Sequence, residues 1–259
     1  MGILNCTPDS FSDGGRWNER DRALAHAEDM IRDGAAILDL GGESTRPGYT
    51  QISEQEEIDR VVPVIEAVKA RFDIPVSVDT YKSAVAAAAL QAGADMVNDI
   101  WGLQYDPGMA ALIAARGVPC CLMHNRKETV YQDFPAELRR DLLHSVSLAK
   151  AAGIPDGGII LDPGVGFAKS YQQNLAVIRH LDQVVRLGYP VLLGTSRKSC
   201  IGLALDLPAS ERVEGTLVTT VLAVLHGASF VRVHDVRENV RAVKMTQAIL
   251  REGGDEHGL

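Results

Sequence analysis

Short apolar runs alternate with longer helix-like segments along this 259-residue chain, and this alternation constrains its fold more than any other feature. Continuous apolar runs without polar alternation are typical of parallel strands that are buried on both faces. Eight such runs are present, at residues 2–4, 36–40, 75–78, 96–97, 119–123, 159–161, 190–193 and 230–233. The pattern predicts a parallel sheet whose strands are connected by helices.

The segments between these runs have the composition and spacing of helices. Helices are predicted at residues 54–72, 83–92, 107–116, 136–152, 171–187, 211–226 and 237–251. A glycine closes most segments just before the next apolar run, as a helix C-terminal cap does: Gly34, Gly93, Gly117, Gly153, Gly188 and Gly227. Pro63 should kink the helix at 54–72 or mark its late first turn.

Repeated strand–helix units in a chain of this length predict an α/β fold, a single (β/α)8 TIM barrel over residues 1–259. The first strand then lies at the extreme N-terminus. The polar tail at 253–259 is expected to be frayed.

The net charge limits the kinds of binding partner that are expected, and the cysteines indicate the cellular compartment. The net charge of −8 argues against nucleic acid or an anionic membrane as the main partner. We find neither a signal-peptide pattern nor an apolar stretch of the ~20 residues that a membrane span needs. The four cysteines lack metal-ligand spacing, which indicates reduced, buried thiols in a cytoplasmic protein. Cys120 and Cys121 should point to opposite faces of one strand.

Polar residues follow nearly every apolar run. A helix cap explains any single one of them, but a ring of polar strand ends is typical of a TIM-barrel active site. The ring comprises Asn5, Asp39, Asp79, Asn98, Asp99, His124, Asn125, Asp162, Ser196, Arg197, Lys198, Arg232 and His234.

This ring divides into two chemical halves. Asp79, Asn98 and Asp162 offer short acceptor and amide groups, which suit a ligand with several N–H donors, such as a 2-amino-pyrimidinone ring. Basic residues follow the last two runs, where barrels of this class commonly bind phosphate: Arg197, Lys198, Arg232 and His234.

Two polar loops follow the first two runs. Residues 7–15 read TPDSFSDGG and residues 41–48 read GGESTRPG. Loops of this composition at the mouth of a barrel tend to be functional. Phe11, an aromatic residue in a glycine-rich loop, is a candidate to cover a flat ligand.

Seven motifs, in order along the chain, resemble those of the dihydropteroate synthase family. They are NCTPDSFSDGG at 5–15, GGESTRPG at 41–48, SVDTYK at 77–82, VNDI at 97–100, DPGVGF at 162–167, TSRKS at 195–199 and RVHDV at 232–236. The resemblance spans essentially the whole chain. It implies that 6-hydroxymethyl-7,8-dihydropterin diphosphate condenses with p-aminobenzoate by an SN1-like substitution, giving 7,8-dihydropteroate and diphosphate in folate biosynthesis.

The same resemblance implies roles for individual residues. The pterin ring would be bound by Asp79, Asn98, Asp162 and Lys198. Asn5 would ligate Mg2+, the implied cofactor, and with it contact the diphosphate, to which Arg232 and His234 would also bind. The p-aminobenzoate site would comprise Phe11, Thr45, Arg46, Pro47, Phe167 and Ser199, the last at a helix start. The catalytic residues would be Asp13, which faces the developing cation, together with Asp79, Lys198 and Arg232.

The family likeness also carries expectations about assembly and departures from pattern. A homodimer through helices on the outside of the barrel is expected. The family likeness also implies an upstream segment that covers the barrel bottom. Cys6 and Cys200 stand where other apolar residues are usual, and we interpret both as packing changes.

Two other functions remain open at this stage. A pterin-binding methyltransferase acting on methyltetrahydrofolate would share the Asp and Asn pocket but would not need SRKS beside RVH. A non-catalytic pterin-binding paralogue would be expected to lose Asp79, Lys198 or Arg232, and all three are present.

Overall fold

The computed structural model of the chain describes residues 1–7, 16–43 and 51–252. Eight short strands lie at the predicted apolar runs: β1 (Gly2–Asn5), β2 (Leu38–Gly41), β3 (Val76–Asp79), β4 (Met96–Asp99), β5 (Cys120–Met123), β6 (Ile159–Asp162), β7 (Leu192–Leu193) and β8 (Phe230–Val231). Strands β1 to β6 form one parallel sheet in sequence order, and β7 pairs in parallel with β8. The predicted tail at 253–259 lies outside the described residues.

The two sheets join at both of their edges. A parallel bridge links Leu161 of β6 to Val191, just before β7, and another links Gly2 of β1 to Val233, just after β8. The backbone N–H of Ile3 also donates to the carbonyl of Val233 at 3.0 Å. The strands therefore close into the predicted (β/α)8 TIM barrel.

Ten helices surround the strands within the described part of the chain. They are α1 (Arg16–Arg32), α2 (Glu54–Arg71), α3 (Ser83–Gln91), α4 (Met109–Arg116), α5 (Phe134–Ala151), α6 (Tyr171–Arg179), α7 (Asp182–Val185), α8 (Ser199–Leu205), α9 (Val213–Leu225) and α10 (Val236–Arg251). The sequence pattern predicted α1 through its glycine cap, Gly34, but gave it no bounds. Among the described side chains of α1, Ala23, Ala27 and Met30 are buried, and these small or flexible residues give a weak apolar pattern.

Two other helix predictions need correction. The segment predicted at 171–187 is two helices, because His180 leaves helical geometry at φ −116° and ψ 31°. Pro63 lies in the middle of α2, which continues from Glu54 to Arg71, so the proline does not mark a first turn. The predicted glycine caps are confirmed: all six have a positive φ, between 64° and 107°.

The core has two parts, and adjacent cysteines mark the boundary. Cys121 packs in a cluster inside the barrel with Met96, Ile160 and Leu192, whereas Cys120 belongs to the larger core between the strands and the helices. Their side chains therefore lie on opposite faces of β5, as predicted. All four cysteines are buried. Over the residues described, the helices are too short or too polar to cross a membrane.

Candidate active site

The strand register brings the predicted polar residues to one end of the barrel, here called the mouth. Asn5 pairs with Gly41, Gly41 with Asp79, and Asp79 with Asn98, so these positions lie in one row across β1 to β4. Asp162 ends β6 at the same edge, beside Met123 of β5. Asp79, Asn98 and Asp162 are buried, and Asn5 is half-buried. The parallel topology thus collects side chains that are distant in sequence.

Arg232 lies among the carboxylates of this row. Its Nε donates to Asp39 Oδ2 at 2.5 Å, and its Nη2 donates to Asp79 Oδ2 at 2.5 Å. Asn98 Nδ2 donates to the same oxygen of Asp39 at 3.2 Å. The predicted basic and acidic groups of residues are therefore not separate. Arg232 of the basic group extends from the end of β8 and forms ion pairs with acidic residues of the mouth.

Asp39 is a site residue to which sequence reasoning gave no role. Its side chain is fully buried, and it pairs with Arg232 and Asn98. The available signal was its position in the second apolar run, where a carboxylate is costly to bury unless a cation or a donor meets it.

Two carboxylate oxygens in this cluster lack a hydrogen-bond partner. Asp39 Oδ1 and Asp79 Oδ1 are both buried and accept from no donor among the described residues. An acceptor buried without a donor costs about 1–3 kcal/mol, so both oxygens are ready to accept from a bound ligand. Burial raises the pKa of Asp79 to about 7, although the Arg232 charge opposes this rise. Burial alone would lower the pKa of Arg232, but Asp39 and Asp79 outweigh it and raise that pKa.

Lys198 and Asp162 form the opposite wall of the mouth. Asp162 Oδ1 accepts from the backbone N–H of Gly164 at 2.7 Å, and burial raises the pKa of this carboxyl. Lys198 Nζ donates to the carbonyl of Val165 and lies 4.9 Å from the ring centre of Phe167. Burial lowers the pKa of Lys198 to about 8, with Asp162 opposing the shift. Lys198 is therefore closer to losing its proton near neutral pH than an exposed lysine is.

A left-handed residue directs the turn that carries Lys198. Arg197 has φ 58°, a conformation that costs a non-glycine residue about 1 kcal/mol or more. Its side chain pairs with Asp235, with Nε 2.9 Å from Oδ2, and its carbonyl accepts from Arg212 at 2.9 Å. Arg197 therefore fixes the turn, whereas the next residue, Lys198, reaches into the mouth.

The remaining described candidates lie at the ends of β7 and β8. His234 Nδ1 lies 3.0 Å from Ser196 Oγ, which also accepts from the His234 backbone N–H at 3.1 Å. Ser199 is the first residue of α8 and is exposed. Five predicted residues lie outside the described part of the chain: Phe11, Asp13, Thr45, Arg46 and Pro47.

An apolar patch adjoins the polar row. Tyr81, Ile100 and Met123 are buried in one cluster, against which Trp101 and Phe167 pack. Each follows or lies at the end of a strand that carries a site residue. Sequence reasoning identified Phe167 only, because apolar residues beside polar ones give no pattern of their own. Trp101 and Phe167 are only partly buried, so their rings are the part of this patch that an aromatic ligand could contact.

A buried charge network fixes the residues that flank segment 44–50. Lys82 Nζ donates to Glu43 Oε2 at 2.7 Å, to Glu57 Oε2 at 2.8 Å and to the carbonyl of Ile52 at 2.8 Å. Tyr81 Oη donates to the other oxygen of Glu43. The same Glu43 accepts from the backbone N–H of Ile52 at 2.8 Å, so both ends of the segment are tied together.

The described residues fit Mg2+ only as part of a shared site. Within these residues, no group of three or more His, Cys, Asp and Glu side chains could bind a metal ion. Asn5 brings one amide oxygen, half-buried at the end of β1. Mg2+ is commonly bound by one or two carboxylates, waters and substrate phosphates, and Asn5 would add a neutral oxygen ligand to the waters and phosphates of such a set.

Known proteins resemble this chain over nearly its whole length. Residues 1–234 match the model of the family described as pterin binding enzyme. The dihydropteroate synthase of Clostridium beijerinckii is 58% identical over 97% of this chain and 94% of its own length. That of Bacillus subtilis is 54% identical over 100% of this chain and 90% of its own.

Solved structures give the same result in three dimensions. The Clostridium difficile dihydropteroate synthase, determined in the presence of pteroic acid, superposes with a TM-score of 0.95 at 51% identity, over 97% of this chain and 96% of that one. The Xanthomonas albilineans enzyme with 4-aminobenzoic acid superposes with a TM-score of 0.93 at 44% identity, over 96% and 92% of the two chains. This chain belongs to the dihydropteroate synthase family of pterin-binding enzymes, which are transferases of folate biosynthesis.

Proposed function

We propose that this chain condenses 6-hydroxymethyl-7,8-dihydropterin diphosphate with p-aminobenzoate to give 7,8-dihydropteroate and diphosphate. The observation that carries the proposal is the pair of unpartnered buried oxygens, Asp39 Oδ1 and Asp79 Oδ1, beside Asn98 at the mouth. A ring rich in N–H donors satisfies such oxygens, whereas a purely anionic ligand would be repelled by them. Relatives with pteroic acid or 4-aminobenzoic acid in the crystal support this choice of substrates.

The pterin ring is assigned to the buried polar row and its apolar neighbour. Asp79, Asn98 and Asp162 would meet the polar edge of the ring, and Lys198 would donate to a ring acceptor. The patch of Tyr81, Ile100 and Met123, with Phe167, would cover a ring face. Burial favours this binding, because the carboxylates already lost their hydrating water when the chain folded. The ligand therefore does not have to displace that water when it binds.

The diphosphate is assigned to the neighbouring cations. Arg232 and His234 would bind it, and Asn5 would hold Mg2+ against it. When bound, Mg2+ supplies positive charge that makes diphosphate a better leaving group. Arg232 is oriented before substrate arrives, since Asp39 and Asp79 fix its guanidinium in place.

An SN1-like substitution follows from the chemistry of the two substrates. An aromatic amine is a weak nucleophile, and the pterin can delocalise positive charge on its exocyclic carbon once the C–O bond breaks. The carboxylates of Asp79 and Asp162 are assigned to the stabilisation of that charge. Asp13 is assigned to the same cation, and closure over the reactants would exclude water.

The p-aminobenzoate site is assigned to the outer part of the mouth. Ser199 at the start of α8 would accept the carboxylate, and the Phe167 ring would contact the aromatic ring. Residues Phe11, Thr45, Arg46 and Pro47 complete this assignment from the two polar loops.

We propose further that the chain acts as a homodimer in the cytoplasm. Large apolar side chains are exposed on the neighbouring helices α9 and α10, among them Val218 at 61%, Met245 at 62% and Ile249 at 59%. Exposed apolar side chains on adjacent helices favour a protein–protein contact. The cytoplasm is assigned because all four cysteines are buried thiols without a disulfide partner.

The test is production of dihydropteroate by the purified protein, with and without Mg2+. Metal-dependent product is expected. A folded protein that binds the pterin but makes no product would favour the non-catalytic paralogue. Calorimetric titration with diphosphate and Mg2+ distinguishes a dihydropteroate synthase from a methyltransferase. A methyltransferase has no diphosphate to bind, so its titration should release little heat.

A further inference from the structure

A half-buried lysine behind the mouth has no role in the proposed reaction. Lys169 follows the loop after β6, and its Nζ donates to His124 Nδ1 at 2.9 Å, to the carbonyl of Gly164 at 2.9 Å and to the carbonyl of Phe167 at 3.0 Å. Among the described residues, no carboxylate forms an ion pair with it. An ammonium is costly to bury without a contacting carboxylate, so these three acceptors must offset part of that cost.

His124 completes the set of acceptors around this lysine. An ammonium group can only donate, so His124 Nδ1 accepts and its proton lies on Nε2, which faces Asp141 Oδ2 at 3.3 Å. Asp141 is fixed in turn by Arg126 Nε at 2.6 Å. Burial first, and then the Lys169 charge, lowers the pKa of His124 to about 3, which keeps the imidazole neutral.

The loop that Lys169 binds is strained and tightly packed. Gly164 has φ 69°, and a Cβ there would lie 2.0 Å from the carbonyl oxygen of His124. Ala168 has φ 45°, and its carbonyl accepts from Tyr131 Oη at 2.8 Å. The Gly166 backbone N–H donates to Asn174 Oδ1 at 2.6 Å. Strained backbone persists only where its surroundings fix it, and Lys169 binds carbonyls on both sides of this turn.

The fixed loop contacts Lys198 twice. The carbonyl of Val165 accepts from Lys198 Nζ, and the ring of Phe167 lies 4.9 Å from the same nitrogen. Both contacts come from residues within the stretch whose ends Lys169 binds at Gly164 and Phe167.

We propose that Lys169 is a positioning residue, which fixes the loop at 163–168 so that Val165 orients Lys198 and Phe167 keeps its ring against the substrates. It acts through those two residues and touches no substrate itself. The inference rests on the proposed function for its kinetic consequence, but its structural consequence is independent of that function.

The charge on Lys169 makes the conformation of the loop at 163–168 sensitive to pH. The charged and titratable groups facing it are His124 and Arg126 from the end of β5, Asp141 from α5, Asp162 from β6 and Lys198 from the start of α8. Burial lowers the pKa of Lys169 to about 7; Asp162 opposes this shift, and Lys198 and Arg126 add to it. The ammonium that binds the two carbonyls is therefore lost as pH rises through neutrality.

The first experiment follows the loop directly. Hydrogen–deuterium exchange of the peptide covering residues 162–170 is compared between the wild-type protein and Lys169→Met. Faster exchange in the variant is expected, with Lys150→Met, an exposed lysine of α5, as the control that leaves this peptide unchanged. Unchanged exchange in folded Lys169→Met overturns the proposal. This readout does not depend on whether the protein is active.

The second experiment measures steady-state kinetics. Lys169→Met should raise the KM for p-aminobenzoate about tenfold, which is the scale of one or two lost hydrogen bonds, with a smaller loss in kcat. Tyr131→Phe, which removes a neutral bond to the same loop, should raise KM in the same direction by less. Lys169→Arg should restore binding between pH 6 and 7.5 and remove the rise in KM with increasing pH that is expected of the wild type.

The outcomes separate the two proposals. An active wild type whose KM is unaffected by Lys169→Met and Tyr131→Phe contradicts the positioning role alone. A lower melting temperature without any change in KM would show a purely structural role and also contradict it. A wild type without dihydropteroate synthesis refutes the proposed function, and the exchange experiment then decides on the loop.

Discussion

Arg232 Nη2 lies 2.5 Å from Asp79 Oδ2, so a cation assigned to the diphosphate and a carboxylate assigned to the pterin ring of the same substrate form one largely buried pair. Asp39 binds the same guanidinium through Nε, also at 2.5 Å. The side chain of Arg232 is 19% exposed, and those of Asp39 and Asp79 are 0% and 8% exposed. One guanidinium therefore balances two buried carboxylates and is oriented by both of them.

Arg232→Met should destabilise the fold as well as abolish activity. Removal of the cation leaves two buried carboxylates uncompensated, a change that typically costs about 3–5 kcal/mol in the free energy of unfolding. Urea denaturation measures the loss. The control is Arg32→Ala, which breaks an exposed pair with Asp29 and should cost less than about 1 kcal/mol. Similar small losses in both variants would contradict this account of Arg232.

Asp39→Asn tests a residue that motif reasoning left without a role. The amide has nearly the same shape but lacks the charge that orients Arg232, so kcat/KM should fall about 100-fold, the scale of a lost charge-assisted bond. Asp156→Asn is the matched control, because that carboxylate pairs with an exposed lysine, Lys150. Wild-type kcat/KM in Asp39→Asn would show that the orientation of Arg232 does not matter.

The raised pKa of Asp79 predicts a pH-dependent contribution to stability. Between the ordinary value of 3.8 and about 7, the native state holds a proton on Asp79 that the unfolded state has released. The contribution is present at low pH and is lost as pH rises through about 7, at up to about 1.4 kcal/mol per pH unit. The free energy of unfolding of wild type minus Asp79→Asn should therefore decrease from pH 5 to pH 7.5. A flat or rising difference would contradict the raised pKa.

Gly164→Ala should distort the loop at 163–168 and thereby displace Lys198 at the mouth of the barrel. The new Cβ would lie 2.0 Å from the carbonyl oxygen of His124, and φ 69° is unfavourable for alanine. We expect a loss of about 2 kcal/mol or more in stability together with a higher KM for p-aminobenzoate. Gly157→Ala is the control, since nothing lies within 4 Å of its Cβ position and its φ is not positive. Equal stability of the two variants would show that the loop relaxes freely.

The exposed apolar face of α9 and α10 predicts self-association. Met245→Asp should shift sedimentation velocity profiles towards the monomer without altering the melting temperature of the isolated chain, because this side chain is 62% exposed. Leu143→Asp, an exposed apolar residue of α5 on another side of the barrel, serves as the control. A wild-type protein that sediments as a monomer at all concentrations would refute the dimer.

The sequence by itself determined the barrel and most of the residues that its mouth collects. Apolar runs mark the strands, because parallel strands that are buried on both faces have nearly continuous apolar residues. The six glycines at helix ends are visible in sequence, because left-handed caps strongly favour this residue. Asp79, Asn98 and Asp162 were identifiable because they lie at or near strand ends, and Lys198 and Arg232 because they follow strands at the same end of the barrel.

Only the tertiary structure decided which of those residues act on each other. Arg232 is 193 residues from Asp39 and 153 from Asp79, and no local pattern encodes a contact over that separation. The same applies to Lys169, whose acceptor His124 lies 45 residues earlier and whose burial depends on packing between β5, α5 and the loop after β6. Charge pairing and desolvation depend on three-dimensional distance and exclusion of water, and these quantities exist only once the barrel has closed.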